Sequence, residues 1–214
     1  MLISHTSRST VIDELYLTVK PLDAKVGIAY FYCDYSDPGR QTMPNIMGSL
    51  TAQLSKQNLA FRSTVWKYFD STHGVYEAAR SADPETLLDI LIANCVKFSR
   101  IYLVLDAIDE CSNQGRHSSR KLLLDYLTKI QDKGKGRIRI LITSRPMTDI
   151  CEAFSSNPTI PILSECNSAD IELYVRAETE RKTQEKPRWL GDEESTRNMV
   201  ENIVSSLVEK ANGM

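Results

Sequence analysis

Apolar positions along this chain fall in two periods. Short continuous runs occupy residues 26–33 (Val26, Gly27, Ile28, Ala29, Tyr30, Phe31, Tyr32, Cys33), 101–105 and 138–143, with a weaker fourth at 159–163. Runs apolar on both faces predict strands of a parallel sheet that helices cover from either side. Between the runs, apolar residues recur three and four apart. Pro44 sits in a first helical turn, where its missing N–H costs nothing, ahead of Ile46, Met47, Leu50 and Leu54. Asp83 and Pro84 cap a second helix, with Leu87, Leu88, Leu91, Ile92 and Cys95 facing inward. A third begins near Ser118, carries Leu122, Leu123, Leu127 and Ile130, and stops before Lys133-Gly134-Lys135-Gly136. Strand alternating with helix predicts a doubly wound α/β core.

From Ser168 onward the pattern is helical only. One helix is expected from Ala169 to about Lys182 and another over 192–212, with Val200, Ile203, Val204, Leu207, Val208 and Ala211 on one stripe. Glu185-Lys186-Pro187-Arg188 separates them as a connector. The expected organisation is an N-terminal segment over 1–24, an α/β core over 25–165 and a helical appendage over 166–214 that reads as truncated, since its last helix is just reaching Gly213.

Charge and composition narrow the partners. Lys plus Arg total 26 against 28 Asp plus Glu, a net charge of -2, so nothing in bulk attracts nucleic acid or an anionic membrane. The basic cluster Lys133, Lys135, Arg137 and Arg139 reads as a solvated loop and strand entrance. No run approaches the roughly 18 apolar residues of a membrane span, and Asp13 and Glu14 interrupt the N-terminus where a signal peptide would be apolar. The cytoplasm is the expected location. Cys33, Cys95, Cys111, Cys151 and Cys166 form no C-x-x-C pair, and His5, His73 and His117 are scattered, so buried reduced thiols are expected rather than zinc or a disulfide framework. Trp66 and Trp189 read as packing residues.

The second apolar run ends on Asp106-Ala107-Ile108-Asp109-Glu110. Ligands of open α/β sheets sit at the carboxyl ends of strands, and a carboxylate there can hold Mg²⁺, usually through water. Asp106 is the candidate metal residue, the alternative being a simple strand cap. Three carboxylates within five residues repel one another without a cation, a basic neighbour or solvent; Arg116 and Arg120 are the basic alternative to magnesium. Small Ala107 leaves room for phosphate and water, and Asp109, then Glu110, are candidates to position or activate an attacking water. The third run ends on Thr143-Ser144-Arg145-Pro146, which would bring Ser144 and Arg145 beside a terminal phosphate. The alternative is an arginine pushed to the surface by Pro146.

Together these motifs resemble the NACHT class of signal-transducing P-loop NTPases, whose Walker B variant has a small residue after the metal aspartate and acidic residues soon after. Within that class the chain is most similar to the nephrocystin-3-type N-terminal domain of large fungal repeat proteins. The segments Ala29-Tyr30-Phe31-Tyr32-Cys33-Asp34-Tyr35, Thr143-Ser144-Arg145-Pro146 and Val208-Glu209-Lys210-Ala211-Asn212-Gly213-Met214 carry that likeness. The resemblance implies a P-loop NTPase-like parallel sheet, Mg²⁺ with ATP or GTP as cofactor, and protein partners that include ankyrin or WD-type repeats of the same protein. It also implies a phosphate loop just before the helix at residues 11–17. There Ser7-Arg8-Ser9-Thr10 echoes the family's Gly-Lys-Ser-Thr, with Arg8 the candidate phosphate contact, but no glycine precedes Gly27 to let successive amides curl around phosphate. The strand leading into that loop, which the resemblance puts inside the sheet, has only residues 1–4 to supply it, so a gap or an exposed edge is expected.

Two functions from different classes follow. One is a nucleotide-binding signalling switch that does not hydrolyse nucleotide as it stands. The other is a pseudo-NTPase that acts as a protein-binding scaffold by its surfaces alone. An unrelated Mg²⁺-dependent phosphohydrolase built on the carboxylates would need a further ligand or base that the sequence does not offer.

Overall fold

A computed structural model describes residues 10–72, 83–113, 119–134, 136–161, 164–185 and 193–211. The chain divides into two compact units, Met1–Ser155 and Ser156–Met214.

The first unit is built on three parallel strands, β1 (Val26–Tyr32), β2 (Arg100–Asp106) and β3 (Ile138–Ile142), in the order β1-β2-β3. The register pairs Tyr32 with Asp106 and Leu105 with Ile142, so all three strands end at one rim. Side chains alternate across the sheet. Ala29 and Cys33, then Ile101, Leu103 and Leu105, then Ile138 face a core completed by Ile46, Met47, Leu50 and Leu54 of α2 (Met43–Gln57), Leu87, Leu88 and Leu91 of α4 (Pro84–Asn94), and Leu123, Leu127 and Ile130 of α5 (Ser119–Lys133). On the opposite face Ile28 is fully buried and Val104 nearly so, whereas Leu141 at the β3 end is exposed. Gly27 is where β1 meets this core most closely: a Cβ there would lie 2.9 Å from Leu54 and Phe98 side-chain atoms.

Helix ends follow from local chemistry. The Asp83 carboxylate accepts the Thr86 N–H at 2.9 Å, and Pro84 opens α4. Asn58 closes α2 and opens α3 (Leu59–Thr72), its Oδ1 accepting the Phe61 N–H at 3.0 Å. The sequence pattern missed α3 and the short α6 (Thr148–Ala153); the asparagine three residues before the buried Phe61 was the available signal for α3. At the N-terminus α1 (Thr10–Glu14) passes into a π-helical turn over Leu15–Val19.

The two sheet edges differ. The outward backbone groups of β1 are closed by side chains: Gln57 exchanges two hydrogen bonds with Ile28, Gln53 exchanges two with Tyr30, and Lys20 donates to the Val26 carbonyl. Two amides a helical turn apart on α2 thus imitate a neighbouring strand. Beyond β3 no further strand pairs among the described residues. The weak fourth strand expected at 159–163 does not form over 159–161, where Pro158 and Pro161 remove two donors and Ile160 is 86 % exposed; residues 162–163 lie outside the described residues.

Other corrections concern orientation. Leu122 points outward while Tyr126 and Arg120 take buried positions on α5. Trp66 is 72 % exposed rather than packed, and Cys151 is exposed while Cys33, Cys95 and Cys111 are buried. Trp189, His5, His73 and His117 lie outside the described residues.

The second unit is a helix pair, α7 (Ser164–Glu185) and α8 (Glu193–Ala211). The helices pack on each other, and Arg176 of α7 bridges Glu172 on its own helix and Glu201 on α8. The predicted α8 stripe splits: Val200 and Val204 are buried, Ile203 and Leu207 exposed. Helix α7 begins five residues before the expected Ala169. Among the described residues no helix is long and apolar enough to cross a membrane.

Candidate functional site

At the rim where the strands end, β2 passes through Asp106 into a tight turn over Ile108–Glu110. The turn starts at Ala107 with φ 54° and ψ 46°, a left-handed conformation that costs a non-glycine residue about 1–2 kcal/mol. Residue 143 holds it there. The Thr143 hydroxyl accepts the Ala107 N–H at 2.9 Å and donates to Oδ1 of Asp106, while the Thr143 carbonyl accepts the Ile108 N–H at 3.1 Å. Thr143 is the residue that motif reading passed over. A hydroxyl at the third strand's tip, in the motif beside Ser144 and Arg145, was the signal present.

The three carboxylates diverge. Asp106 binds Thr143 at the β3 tip, and among the described residues no partner holds its Oδ2. Asp109 turns under β3: Oδ1 accepts the Arg145 N–H at 3.1 Å and Oδ2 the Arg145 Nε–H at 2.5 Å. Its side chain is 4 % exposed against 75 % for Arg145. Burial pushes the Asp109 carboxyl up, but the hydrogen bonds and charge of Arg145 outweigh it and hold the group below the usual carboxylate range. Glu110 reaches the other way, its Oε2 accepting the Tyr35 N–H at 3.0 Å in the loop after β1. One turn therefore ties together the tips of all three strands.

Arg120, nearly buried on α5, donates to the Asp109 carbonyl at 2.9 Å and pairs with Asp149 at 2.8 Å. Its ionic partner is thus Asp149 rather than a carboxylate of the triplet. Ser144 is exposed between Thr143 and Arg145. Arg8 and Arg116 lie outside the described residues.

Beside the turn, the sulfurs of Cys33 and Cys111 are 3.2 Å apart. Contact with Cys111 and burial push the Cys33 thiol up, whereas contact with Cys33 and the Arg120 charge draw Cys111 down despite its burial.

Among the described residues no three His, Cys, Asp or Glu side chains converge on a cation. Those residues by themselves offer no protein-only metal cage. Nucleotide-bound Mg²⁺ needs less, since one or two carboxylates, substrate phosphates and waters complete its octahedron. Asp106, with one oxygen anchored and the other without a protein partner among the described residues, fits that role.

Fold and rim define an α/β protein whose three-strand parallel sheet is flanked by helices, with an acidic turn at the carboxyl ends of the strands. The chain belongs to the nephrocystin 3, N-terminal family, whose model matches residues 6–145. No curated protein matches it, and no solved structure does.

Proposed function

We propose that this chain is a nucleotide-binding switch domain of the NACHT type that binds and reports a nucleotide rather than turning it over. The observation that carries this is Asp106: a carboxylate at the end of the central strand, oriented by Thr143, with Oδ2 without a protein partner among the described residues. Asp106 would hold the Mg²⁺ of ATP or GTP, and the ion would supply charge neutralisation at the phosphates. Arg145, with Ser144 beside it, is the arginine that would meet a terminal phosphate, and Arg8 is the proposed phosphate contact of the N-terminal segment.

Asp109 and Arg145 supply the switch. While paired, Asp109 has both oxygens committed and cannot take a proton from water. A phosphate that draws the exposed guanidinium away would release that carboxylate and loosen the turn that braces all three strands. Glu110, committed to the Tyr35 amide, would respond with it. Repeat domains of the same protein and protein partners in the cytoplasm are the proposed readers of that change.

Thermal unfolding with and without Mg-ATP or Mg-GTP tests the proposal. Ligand at about 100 times its dissociation constant adds about 2.7 kcal/mol. The expected result is a Mg²⁺-dependent shift that disappears in Asp106→Ala, without release of inorganic phosphate. Unfolding unchanged by millimolar nucleotide would refute it and favour the second reading, a pseudo-NTPase scaffold. The observation behind that alternative is that Asp109 and Glu110 are engaged within the protein.

A further inference from the structure

Cys33 and Cys111 are separated by 78 residues in sequence, yet their sulfurs lie 3.2 Å apart. Both backbones are pinned. The Cys33 N–H donates to the Asp106 carbonyl at 3.0 Å, extending the β1-β2 ladder by one residue, and the Cys111 N–H donates to the Ile108 carbonyl at 3.2 Å. The Tyr35–Glu110 hydrogen bond clamps the same two segments a second time. A disulfide has its sulfurs at about 2.05 Å, so closure asks for a movement of about one ångström rather than a rearrangement. Exposure is 6 % at Cys33 and 2 % at Cys111, which favours a water-sized oxidant over a bulky disulfide such as oxidised glutathione.

We propose that Cys33 and Cys111 form a peroxide-responsive dithiol whose oxidation ties the tip of β1 to the acidic turn after β2. The Cys111 sulfur attacks one oxygen of hydrogen peroxide, breaking the O–O bond to give a sulfenic acid and water. The Cys33 sulfur then attacks the sulfenic sulfur, forming the S–S bond and expelling a second water. Both thiol hydrogens leave in the two waters, and the peroxide oxygens are reduced as the sulfurs are oxidised. The resulting covalent tie reinforces the sulfur contact and the Tyr35–Glu110 hydrogen bond across this gap, so Glu110 and its neighbours lose the freedom to part from the β1 loop. This inference does not depend on nucleotide binding.

The test treats the whole protein with graded hydrogen peroxide, blocks residual thiols with iodoacetamide under denaturing conditions, and maps non-reduced peptides. The expected product is one Cys33–Cys111 linked peptide pair, removed by dithiothreitol, with a melting temperature raised by roughly 5–10 °C. Oxidised glutathione should modify exposed Cys151 and leave the pair alkylatable. In Cys33→Ser, dimedone should trap a sulfenic acid at Cys111; the wild-type peptide map stands even if that variant fails to fold. Cys33 and Cys111 both remaining alkylatable at peroxide levels that consume Cys151, or oxidation to separate sulfinic acids, would overturn the proposal.

Discussion

Removing the Arg145 guanidinium tests how the acidic turn is held. In Arg145→Ala, Asp109 keeps the backbone N–H on Oδ1 and loses the charged partner on Oδ2. Were both partners exposed, water would replace the contact and the loss would be about 0–1 kcal/mol. The guanidinium is exposed, but the carboxylate that it covers is only 4 % so. The cost then falls on the nearly buried carboxylate, which loses a charge-assisted hydrogen bond, and shows as a lower melting temperature near neutral pH. The pH dependence is the sharper check. Asp109 titrates below the usual carboxylate range when folded. Its contribution is therefore complete above the unfolded carboxyl value of about 3.9 and is lost as pH falls through the lower folded value. In the variant, burial remains and the guanidinium is gone, so the folded carboxyl takes up its proton at higher pH and escapes the penalty of an unpaired buried charge. The gap between wild type and Arg145→Ala should be widest near pH 7 and narrow towards pH 4, read by urea unfolding at both. A difference that stays constant, or one under about 0.5 kcal/mol near neutral pH, would show that the pair does not hold the turn.

Three further variants probe other parts of the frame. Ala107→Gly should stabilise by up to about 1 kcal/mol in urea unfolding, because glycine adopts the left-handed conformation freely; destabilisation would mean that the alanine methyl packs against something essential. Gly27→Ala should destabilise by about 1–3 kcal/mol, since its Cβ would meet Leu54 and Phe98 at 2.9 Å, and unchanged stability would show that those side chains yield. Replacing Gln53 and Gln57 together by alanine strips side-chain partners from the outer edge of β1, at about 1 kcal/mol for each amide, and should raise concentration-dependent association measured by light scattering. A variant that stays monomeric with wild-type stability would refute the edge-sealing role.

The apolar runs at 26–33, 101–105 and 138–143 determined three strands within a residue or so of their observed ends, because short continuous apolar runs suit a parallel sheet, although Arg139 and Leu141 on β3 stay exposed. Asp83-Pro84 and the spacing of Leu87, Leu88 and Leu91 likewise determined α4, since capping and amphipathic periodicity are local. The acidic turn and the Thr143-Ser144-Arg145-Pro146 segment were legible as motifs. Their pairing was not: Asp109 with Arg145, Glu110 with the Tyr35 amide and Asp106 with Thr143 are contacts between segments brought together only by parallel strand order and register. The same holds for Cys33 and Cys111, which sequence spacing presents as unrelated thiols. At 159–161 a weakly apolar run flanked by prolines stayed out of the sheet, because a strand exists only where a neighbour accepts its hydrogen bonds. Sequence alone determined the three strands and most of the helices, through propensity and periodicity, but not α3 or α6. Tertiary structure decided which carboxylates are braced and which thiols meet, because those depend on distances across the strand tips that no local pattern encodes.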